Sequence, residues 1–313
     1  MRAIGVNQYG GPEALEVLDL PEPHAGAGEV RIRVHAAAVN PTDTGLRSGL
    51  YDERFGERKP PYVPGMDAAG VLDEIGEGVA DWQVGDEVLA IVLPTGPHGG
   101  AYADQVVVPA ESVVAKPDGI DMAHGATLLM NALTARLALD AFDLEEGSTV
   151  AVTGAAGSFG GYVIELAKAD GLRVLADASE QDVALVGELG ADDVVERGEG
   201  VTERFRELAP DGVDALADGA VRDAEVLAAV KDGGALATVR GWDGPSERDI
   251  AITPVMVFAH AGRTELLERL RDQADDGTLT LRVADVLPAE EAVEAHRRLE
   301  AGGVRGRLVL DFT

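Results

Sequence analysis

The middle of the chain runs from an apolar strand directly into a glycine-rich turn and then into a helix. The strand is predicted over Ser148–Thr153, and the turn carries Gly154, Gly157 and Gly160 at three-residue intervals. Glycine lets a tight turn approach a phosphate closely, and the N–H groups at the start of the following helix bind the anion. The spacing is G-x-x-G-x-x-G, not G-x-G-x-x-G, but the strand–turn–helix context is the one that a dinucleotide site requires. The sequence therefore predicts a pyrophosphate-binding loop, with a plain tight turn as the alternative.

The pattern of the chain changes near residue 120. Before it, short alternating segments lie between Gly and Pro turns, as where Val30, Ile32 and Val34 share one face, and these predict a β-rich, barrel-like domain. After it, strands and helices alternate, which is typical of a doubly wound parallel sheet. We expect a helix over Met122–Phe142, a closing strand near Pro254, and a C-terminal segment that returns to the first domain.

The chain is strongly acidic, with 56 Asp and Glu against 26 Lys and Arg and a formal net charge of −30. This charge repels phosphates and anionic lipids, so we expect neither a nucleic acid nor a membrane as a partner. Cysteine is absent, which excludes disulfides and thiolate nucleophiles. No signal-peptide pattern and no long apolar run occur, so we expect a cytoplasmic protein. The acidity indicates either a solvated face with codon bias or adaptation to high salt.

Four ordered stretches carry a resemblance to a known family. They are VNPTDTGLRSGLY (39–51), PGMDAAGVLDEIGEGVADWQVGDEV (64–88), GGAYADQVVVP (99–109) and VTGAAGSFGG (152–161). Together they resemble the medium-chain dehydrogenase/reductase superfamily, and within it the zinc-free quinone oxidoreductase (zeta-crystallin-like) branch. The resemblance implies an α/β protein with a GroES-like β-rich catalytic domain at 1–122 and 262–313. It also implies a Rossmann domain with a doubly wound parallel sheet at 123–261, NADP(H)-dependent reduction, and a homodimer.

The positions where zinc-dependent relatives hold their catalytic metal carry other residue types here. Asn40 and Met66 stand at the first two positions, and the third lies near Met130 and Asn131. None of these is a good zinc ligand, so we expect no metal site. Without a Lewis acid the chemistry that remains is hydride transfer to an acceptor that is already electrophilic. Quinones and α,β-unsaturated carbonyls are such acceptors, because oxygen takes up the added charge.

The resemblance assigns catalytic positions to Asn40, Asp43 and Tyr51 and places Thr134 at the coenzyme. Tyr51 is the best hydrogen-bond donor to a substrate oxygen. Each residue has a structural alternative. Asn40 and Asp43 could cap a turn around Pro41, Tyr51 could pack at a rim, and Thr134 could simply lie in its helix.

The coenzyme preference depends on the residues after the second Rossmann strand. Relatives that bind the NADPH 2′-phosphate often have a Lys where this chain has Asp182, whereas Ser179 and Arg197 could still bind a phosphate. Asp177 resembles the acid that binds a ribose hydroxyl in NAD enzymes, although it lies one residue early. We expect NADP(H) to be favoured over NAD(H). The predicted coenzyme-binding residues are Thr134, Gly154, Ala156, Gly157, Ser158, Phe159, Gly160, Ser179 and Arg197.

The leading hypothesis is a zinc-independent, NAD(P)H-dependent oxidoreductase that transfers hydride to a quinone or an α,β-unsaturated carbonyl. Two alternatives stay open: a non-catalytic NADPH-binding structural or regulatory protein of the same fold, and a reductase of a specialised metabolite. The partners expected are a small-molecule substrate and a second copy of the chain. The apolar segment Ile252–Phe258 lies late in the sheet, where pairing across a two-fold axis would cover an exposed edge.

The net charge leads to a prediction about salt. Self-repulsion should destabilise the fold at low ionic strength, and salt should screen that repulsion. The melting temperature should therefore rise from low salt to molar KCl by more than it does for a near-neutral homologue measured in parallel. An equal or smaller rise would favour codon bias as the origin of the acidity.

Overall fold

The computed structural model describes residues 1–52 and 59–313. The chain divides into two units. The first comprises Met1–Met130, Phe258–Asp275 and Leu281–Thr313, and the second comprises Asn131–Val257 and Asp276–Thr280. Within the described ranges, no helix combines the length and the apolar character needed to cross a membrane. The limits given above for the two functional domains remain predictions.

The strands follow one another through both units. In chain order they are β1 (Arg2–Gly5), β2 (Glu16–Asp19), β3 (Glu29–Ala38), β4 (Asp67–Ile75), β5 (Glu87–Ile91), β6 (Gln105–Pro109), β7 (Val113–Ala115), β8 (Thr149–Thr153), β9 (Arg173–Ala178), β10 (Asp193–Glu196), β11 (Val213–Asp218), β12 (Val230–Thr238), β13 (Ala251–Pro254), β14 (Val283–Pro288) and β15 (Arg307–Asp311).

The described α-helices are mostly short. They are α1 (Pro41–Ser48), α2 (Met122–Gly125), α3 (Leu129–Asp140), α4 (Ser158–Ala169), α5 (Val183–Glu188), α6 (Val201–Leu208), α7 (Thr264–Asp275) and α8 (Ala292–Ala301). Short 3-10 turns join several of these elements, including Glu180–Asp182 before α5 and Val257–Ala259 before α7.

The first unit is built on a seven-stranded, mostly antiparallel sheet. Its strand order is β14-β15-β3-β4-β5-β7, and β6 pairs with β3. The alternation predicted in β3 is confirmed, since Val30, Ile32 and Val34 are buried and Arg33 is exposed. Over part of its length β3 pairs with both β4 and β6. The buried side chains Val30, Ile32 and Val34 belong to the hydrophobic core of the unit. β15 extends the same sheet, so the C-terminal segment returns to the first unit as expected.

The second unit holds a six-stranded parallel sheet with the order β10-β9-β8-β11-β12-β13. The chain begins at the centre with β8, proceeds to one side through β9 and β10, and then crosses to β11. This order is that of the Rossmann fold, and its reversal next to β8 creates the crevice at which such sheets bind dinucleotides. Val150, Ala151 and Val152 are fully buried, because a central parallel strand is covered on both faces. The predicted fold class is confirmed.

Two predicted elements differ from the structure. The helix expected over Met122–Phe142 is two helices, α2 and α3, separated at residues 126–128. The break is stabilised by Thr127, which is buried and donates its hydroxyl and its N–H to the His124 carbonyl. The sequence predicts a closing strand that continues beyond Pro254, but β13 ends at Pro254. Its neighbour β12 ends at Thr238, the residue that pairs with Pro254, so the two strands end together.

Candidate active site

In the first unit, the turn from β3 into α1 places an amide side chain in a buried polar cluster. Asn40 is the N-cap of α1, Pro41 occupies the first helical position, and Asn40 is completely buried. A buried amide must find partners inside the protein. The Asn40 side chain donates from Nδ2 to Asp67 Oδ2 at 2.8 Å. Asp67, the first residue of β4, also accepts the Met130 N–H through Oδ1 at 2.9 Å.

Asp43 holds the main chain of the same turn. It is the third residue of α1 and forms a capping box with Asn40. Its Oδ2 accepts the Asn40 N–H at 2.7 Å, and its Oδ1 accepts the Gly65 N–H at 2.9 Å. The Tyr102 hydroxyl donates to Oδ2 at 3.2 Å. These contacts favour the capping alternative for Asp43, because its carboxylate holds the main chain of Asn40 in place.

Two buried carboxylates therefore flank one amide. Burial raises the pKa of Asp43 to about 7, and the N–H donors of Asn40 and Gly65 oppose that shift because they favour the ionised form. Burial also raises the pKa of Asp67 to about 6, against the donors of Asn40 and Met130 and the positive charge of Arg307. The environment of Asn40 thus changes its charge near neutral pH.

Behind Asp43 lies a set of residues that the sequence analysis did not select. Tyr102 and His296 are fully buried, and Arg47 of α1 is 3% exposed. Tyr102 Oη lies 3.2 Å from His296 Nε2, and Arg47 Nη1 lies 3.2 Å from His296 Nδ1. Arg47 and His296 stand 249 positions apart in the chain. No local pattern in the sequence could have joined them.

Tyr51 follows the C-terminal end of α1. The helix ends at Ser48, its C-cap Gly49 has a left-handed φ of +79°, and the half-buried Tyr51 ring folds back over Gly45. A Cβ at Gly45 would lie 2.5 Å from Tyr51 Cε2, so glycine is needed for this packing. Asn40, Asp43 and Tyr51 therefore belong to a single helix and its two ends.

The residues around Asn40 do not fit a zinc ion. The Asn40 amide is occupied with Asp67, and Met66 presents a buried thioether, which is a poor ligand for zinc. Across residues 1–52 and 59–313, no cluster of three or more His, Asp or Glu side chains could hold a metal ion.

In the second unit, the glycine turn joins β8 to α4. Gly154 has φ +65°, and a Cβ there would lie 2.8 Å from the Gly219 carbonyl carbon. A Cβ at Gly160 would lie 2.5 Å from the Gly154 oxygen and 2.7 Å from the Ala155 Cα. Gly157 is the N-cap of α4, a helix of twelve residues.

Because Gly154 and Gly160 have no Cβ, the turn packs directly against the start of α4. The first N–H groups of a helix have no partner within the helix. Those N–H groups and the positive end of the helix dipole suit a pyrophosphate. Ala156, Ser158 and Phe159 lie on this turn or in the first residues of α4. The site fits a nicotinamide dinucleotide, which supplies a hydride when bound.

Asp177 lies near the end of β9, next to the turn. Its Oδ1 accepts the Ala155 N–H at 3.2 Å and it is 4% exposed, so it faces the glycine turn despite being one residue early in the pattern. Burial raises the pKa of Asp177, whereas the Ala155 N–H and the charges of Arg197 and Arg222 oppose that shift.

Ser179 and Arg197, the residues predicted to bind a 2′-phosphate, have different surroundings. The Ser179 hydroxyl donates to the buried Asp182 carboxylate, so its proton already has an acceptor. The Arg197 side chain is exposed, and its charge opposes the rise that burial causes in the pKa of Asp177. Thr134 lies buried within α3.

A second polar pair at the carboxyl ends of the parallel strands was missed. Thr153 at the end of β8 donates to Asp218 Oδ1 at 2.6 Å, and Asp218 ends β11. Asp218 Oδ2 accepts the N–H groups of Arg222 and Asp223, both at 2.7 Å. These bonds hold a segment in which Val221 has φ +56°, a conformation that is strained for a β-branched residue. The position, at the switch point of the sheet, is the signal that could have identified them.

A GroES-like sheet and a Rossmann sheet with a dinucleotide turn define a class of nicotinamide-dependent dehydrogenases, and comparison with known proteins agrees. Residues 26–118 match the alcohol dehydrogenase GroES-like domain, and residues 189–310 match the family described as zinc-binding dehydrogenase. The quinone oxidoreductase of Sus scrofa is 30% identical over 330 residues, covering 99% of this chain and 97% of that protein.

Two solved structures show the same similarity. A mycobacterial protein complexed with NADPH is 29% identical, covers 99% of this chain and 100% of its own, and has a TM-score of 0.87. An NAD-dependent alcohol dehydrogenase is 31% identical, covers both chains fully, and has a TM-score of 0.89. The chain belongs to the quinone oxidoreductase branch of the medium-chain dehydrogenase/reductase superfamily. The predicted resemblance and the prediction of an enzyme are confirmed.

The glycine turn generates a prediction. Gly160→Ala should raise the dissociation constant for NADPH about tenfold, because the new methyl group must push the turn away from α4. Titration of coenzyme fluorescence measures the constant. Gly187→Ala is the matched control, since it lies in helix α5 with no atom within 4 Å of its added Cβ. Unchanged coenzyme binding in Gly160→Ala would contradict the assignment of the turn.

Proposed function

We propose that the protein reduces quinones or α,β-unsaturated carbonyls with a nicotinamide coenzyme, without a metal ion. The observation that carries the proposal is the Asn40–Asp67 hydrogen bond. This bond fixes the Asn40 amide. By the sequence resemblance, Asn40 stands at a position where zinc-dependent relatives have a metal ligand. The name of the Sus scrofa relative supports a quinone as the acceptor, and a neighbour named CurK enoyl reductase supports an activated double bond.

The proposed roles follow from the geometry of the first unit. Asp67 and the Asp43 capping box fix both the side chain and the main chain of Asn40, so this amide needs little reorganisation during the reaction. Tyr51 is the proposed donor to the substrate oxygen that becomes negatively charged. A donor aligned in advance at such an oxygen typically contributes about a hundredfold to kcat. Solvent can supply the proton that the product oxygen retains.

The test is a screen of coenzyme oxidation against quinones, enones, aldehydes and simple ketones. We expect turnover with quinones or enones, and no loss of it after exhaustive chelation, because the proposed chemistry needs no Lewis acid. Tyr51→Phe should lower kcat by about a hundredfold with a smaller change in KM. Tyr62→Phe is the control, a half-buried tyrosine that stacks on Tyr9 in the same unit.

Three results would count against this proposal. Stoichiometric bound zinc whose removal abolishes the activity would contradict the metal-independent reaction. Turnover of simple ketones alone would contradict the substrate class. Coenzyme binding without turnover of any acceptor would support the alternative of a structural or regulatory NADPH-binding protein.

We propose that NADP(H) is the preferred coenzyme. The NADPH complex of the mycobacterial neighbour supports this preference, and Arg197 is one of two arginines, with Arg222, whose charge acts on Asp177. The buried Asp182 next to Ser179 opposes a phosphate dianion, so the preference over NAD(H) should be modest. A charge-assisted contact from Arg197 contributes about 1.5–3 kcal/mol, which is enough to offset one carboxylate.

Arg197→Ala tests this preference. It should raise the KM for NADPH about tenfold or more and leave the KM for NADH nearly unchanged, because only NADPH carries the phosphate. Arg173→Ala is the matched control, since Arg173 begins β9, the strand that carries Asp177, and pairs with Asp193 at 2.8 Å. Asp182→Asn should strengthen the preference for NADPH, since it removes a negative charge and keeps an acceptor for Ser179. A wild type that prefers NADH, with an Arg197 variant that affects both coenzymes alike, would make Asp177 the ribose ligand.

The homodimer and the cytoplasmic location remain predictions. The dimer is supported by the position of β13 at the edge of the six-stranded sheet, since an unpaired edge is suited to pairing with a second copy. The functional domain limits at 122/123 and 261/262 also remain proposals, as do the catalytic and coenzyme residues.

A further inference from the structure

Four buried side chains of the first unit form a continuous hydrogen-bonded row behind Asn40. The row consists of Asp43, Tyr102, His296 and Arg47, and each neighbouring pair lies 3.2 Å apart. At its far end Arg47 binds Glu300, a residue of α8 that is partly exposed. The row therefore links α1, the segment before β6, and α8.

Chemistry fixes the direction of every hydrogen bond in the row. A guanidinium group can only donate, so Arg47 donates to His296 Nδ1. The neutral ring then carries its proton on Nε2 and donates to the Tyr102 oxygen. The Tyr102 hydroxyl donates in turn to Asp43 Oδ2. An ionised Asp43 is the final acceptor.

The electrostatics of the row agree with this direction. Burial and the neighbouring Arg47 charge lower the pKa of His296 to about 3, so the ring is neutral. Burial and the nearby Asp43 raise the pKa of Tyr102 well above its usual value, so its hydroxyl keeps its proton. Both groups therefore stay in the protonation states that the row requires.

A protonated Asp43 would break this arrangement. Its Oδ2 faces both the Asn40 N–H and the Tyr102 hydroxyl, and its Oδ1 faces the Gly65 N–H. Oδ2 already accepts two hydrogen bonds, so a proton added there would displace the Asn40 N–H or the Tyr102 hydroxyl. A proton on Oδ1 would weaken all three contacts, because it removes the negative charge that the donors favour. The capping box around Asn40 is therefore complete when Asp43 is ionised.

We propose that Tyr102, His296 and Arg47 are positioning residues, which hold the Asn40–Asp43 capping box in its working geometry. This inference rests on the proposed reductase function. Burial raises the pKa of Asp43, and the Tyr102 hydroxyl at the end of the row opposes that rise by donating to the ionised carboxylate. Loss of the Tyr102 donor should therefore raise the pKa of Asp43 further.

Other charges also act on Asp43 and must stay constant in a test. Asp67 of β4 raises the pKa of Asp43, and Arg307 of β15 acts on both Asp67 and Tyr102. Glu300 of α8 faces Arg47. Substitution of Tyr102 by phenylalanine leaves all of these charges in place, which makes it the cleanest variant.

The first measurement is the pH profile of kcat/KM in wild type and Tyr102→Phe. Loss of one hydrogen bond to a charged group should move the acid limb upward by about one to two pH units, with activity near that of wild type on the alkaline side. Tyr162→Phe removes a buried tyrosine hydroxyl in the second unit and should leave the limb unmoved. An equal loss of activity at every pH, or an unmoved limb in Tyr102→Phe, would overturn the proposal.

A second pair of variants tests the direction of the row. The amide of His296→Gln can accept from Arg47 through its oxygen and donate to Tyr102 through its nitrogen, whereas His296→Leu can do neither. We expect the acid limb of the glutamine variant to lie nearer to wild type than that of the leucine variant. Equal shifts in the two variants would overturn the directional row.

The free energy of unfolding provides a readout that does not require catalysis. Because the folded-state pKa of Asp43 is raised, this carboxyl holds its proton to higher pH in the folded protein than in the unfolded chain. Its own contribution to the free energy of unfolding therefore falls as pH rises from about 4 to 7. At constant salt, this contribution should fall up to about pH 8 or 9 in Tyr102→Phe, whereas in wild type it falls only up to about pH 7. Parallel curves above pH 7 would overturn the row's effect on Asp43. An inactive wild type would instead contradict the proposed function, and the unfolding curves would still decide the role of the row.

Discussion

A carboxylate removed from water must receive all of its hydrogen bonds from the protein, and Asp43 shows what this requires. Its two oxygens accept from the backbone of Asn40 and Gly65 and from the Tyr102 hydroxyl. Those donors come from the start of α1, from the segment before β4, and from the segment before β6. The candidate active site therefore depends on how several distant segments meet around one charge.

The second unit meets a different constraint, which concerns space more than charge. At Gly154 and Gly160 the turn lies so close to Gly219 and to its own helix that no Cβ fits without movement. The same closeness leaves the start of α4 open to an anion. The packing of the turn and the proposed binding of a pyrophosphate thus depend on the same glycines.

The large negative charge of the chain and the buried carboxylates affect the protein differently. Surface acids repel one another through water, and salt screens that repulsion. Asp43 and Asp67 are enclosed, so salt screens them little, and their ionisation is determined by burial, which raises their pKa values, and by specific donors, which oppose that rise. Changes in salt should therefore report on the surface, whereas changes in pH near neutrality should report on the surroundings of Asn40.

The sequence by itself determined the features that depend on neighbouring residues. The alternation of β3, the strand–glycine–helix turn, and the position of Asn40 directly before Pro41 can all be identified from spacing, because side-chain period and backbone freedom are local properties. Only the tertiary structure decided that Asp67 binds the Asn40 amide, that Ser179 donates to Asp182, and that His296 lies behind Asp43. Arg47 and His296 are 249 residues apart, and their contact arises because β15 returns the C-terminal segment to the first sheet. A hydrogen bond is satisfied by proximity in space, and one sequence does not specify which distant groups the packing of the core will bring together.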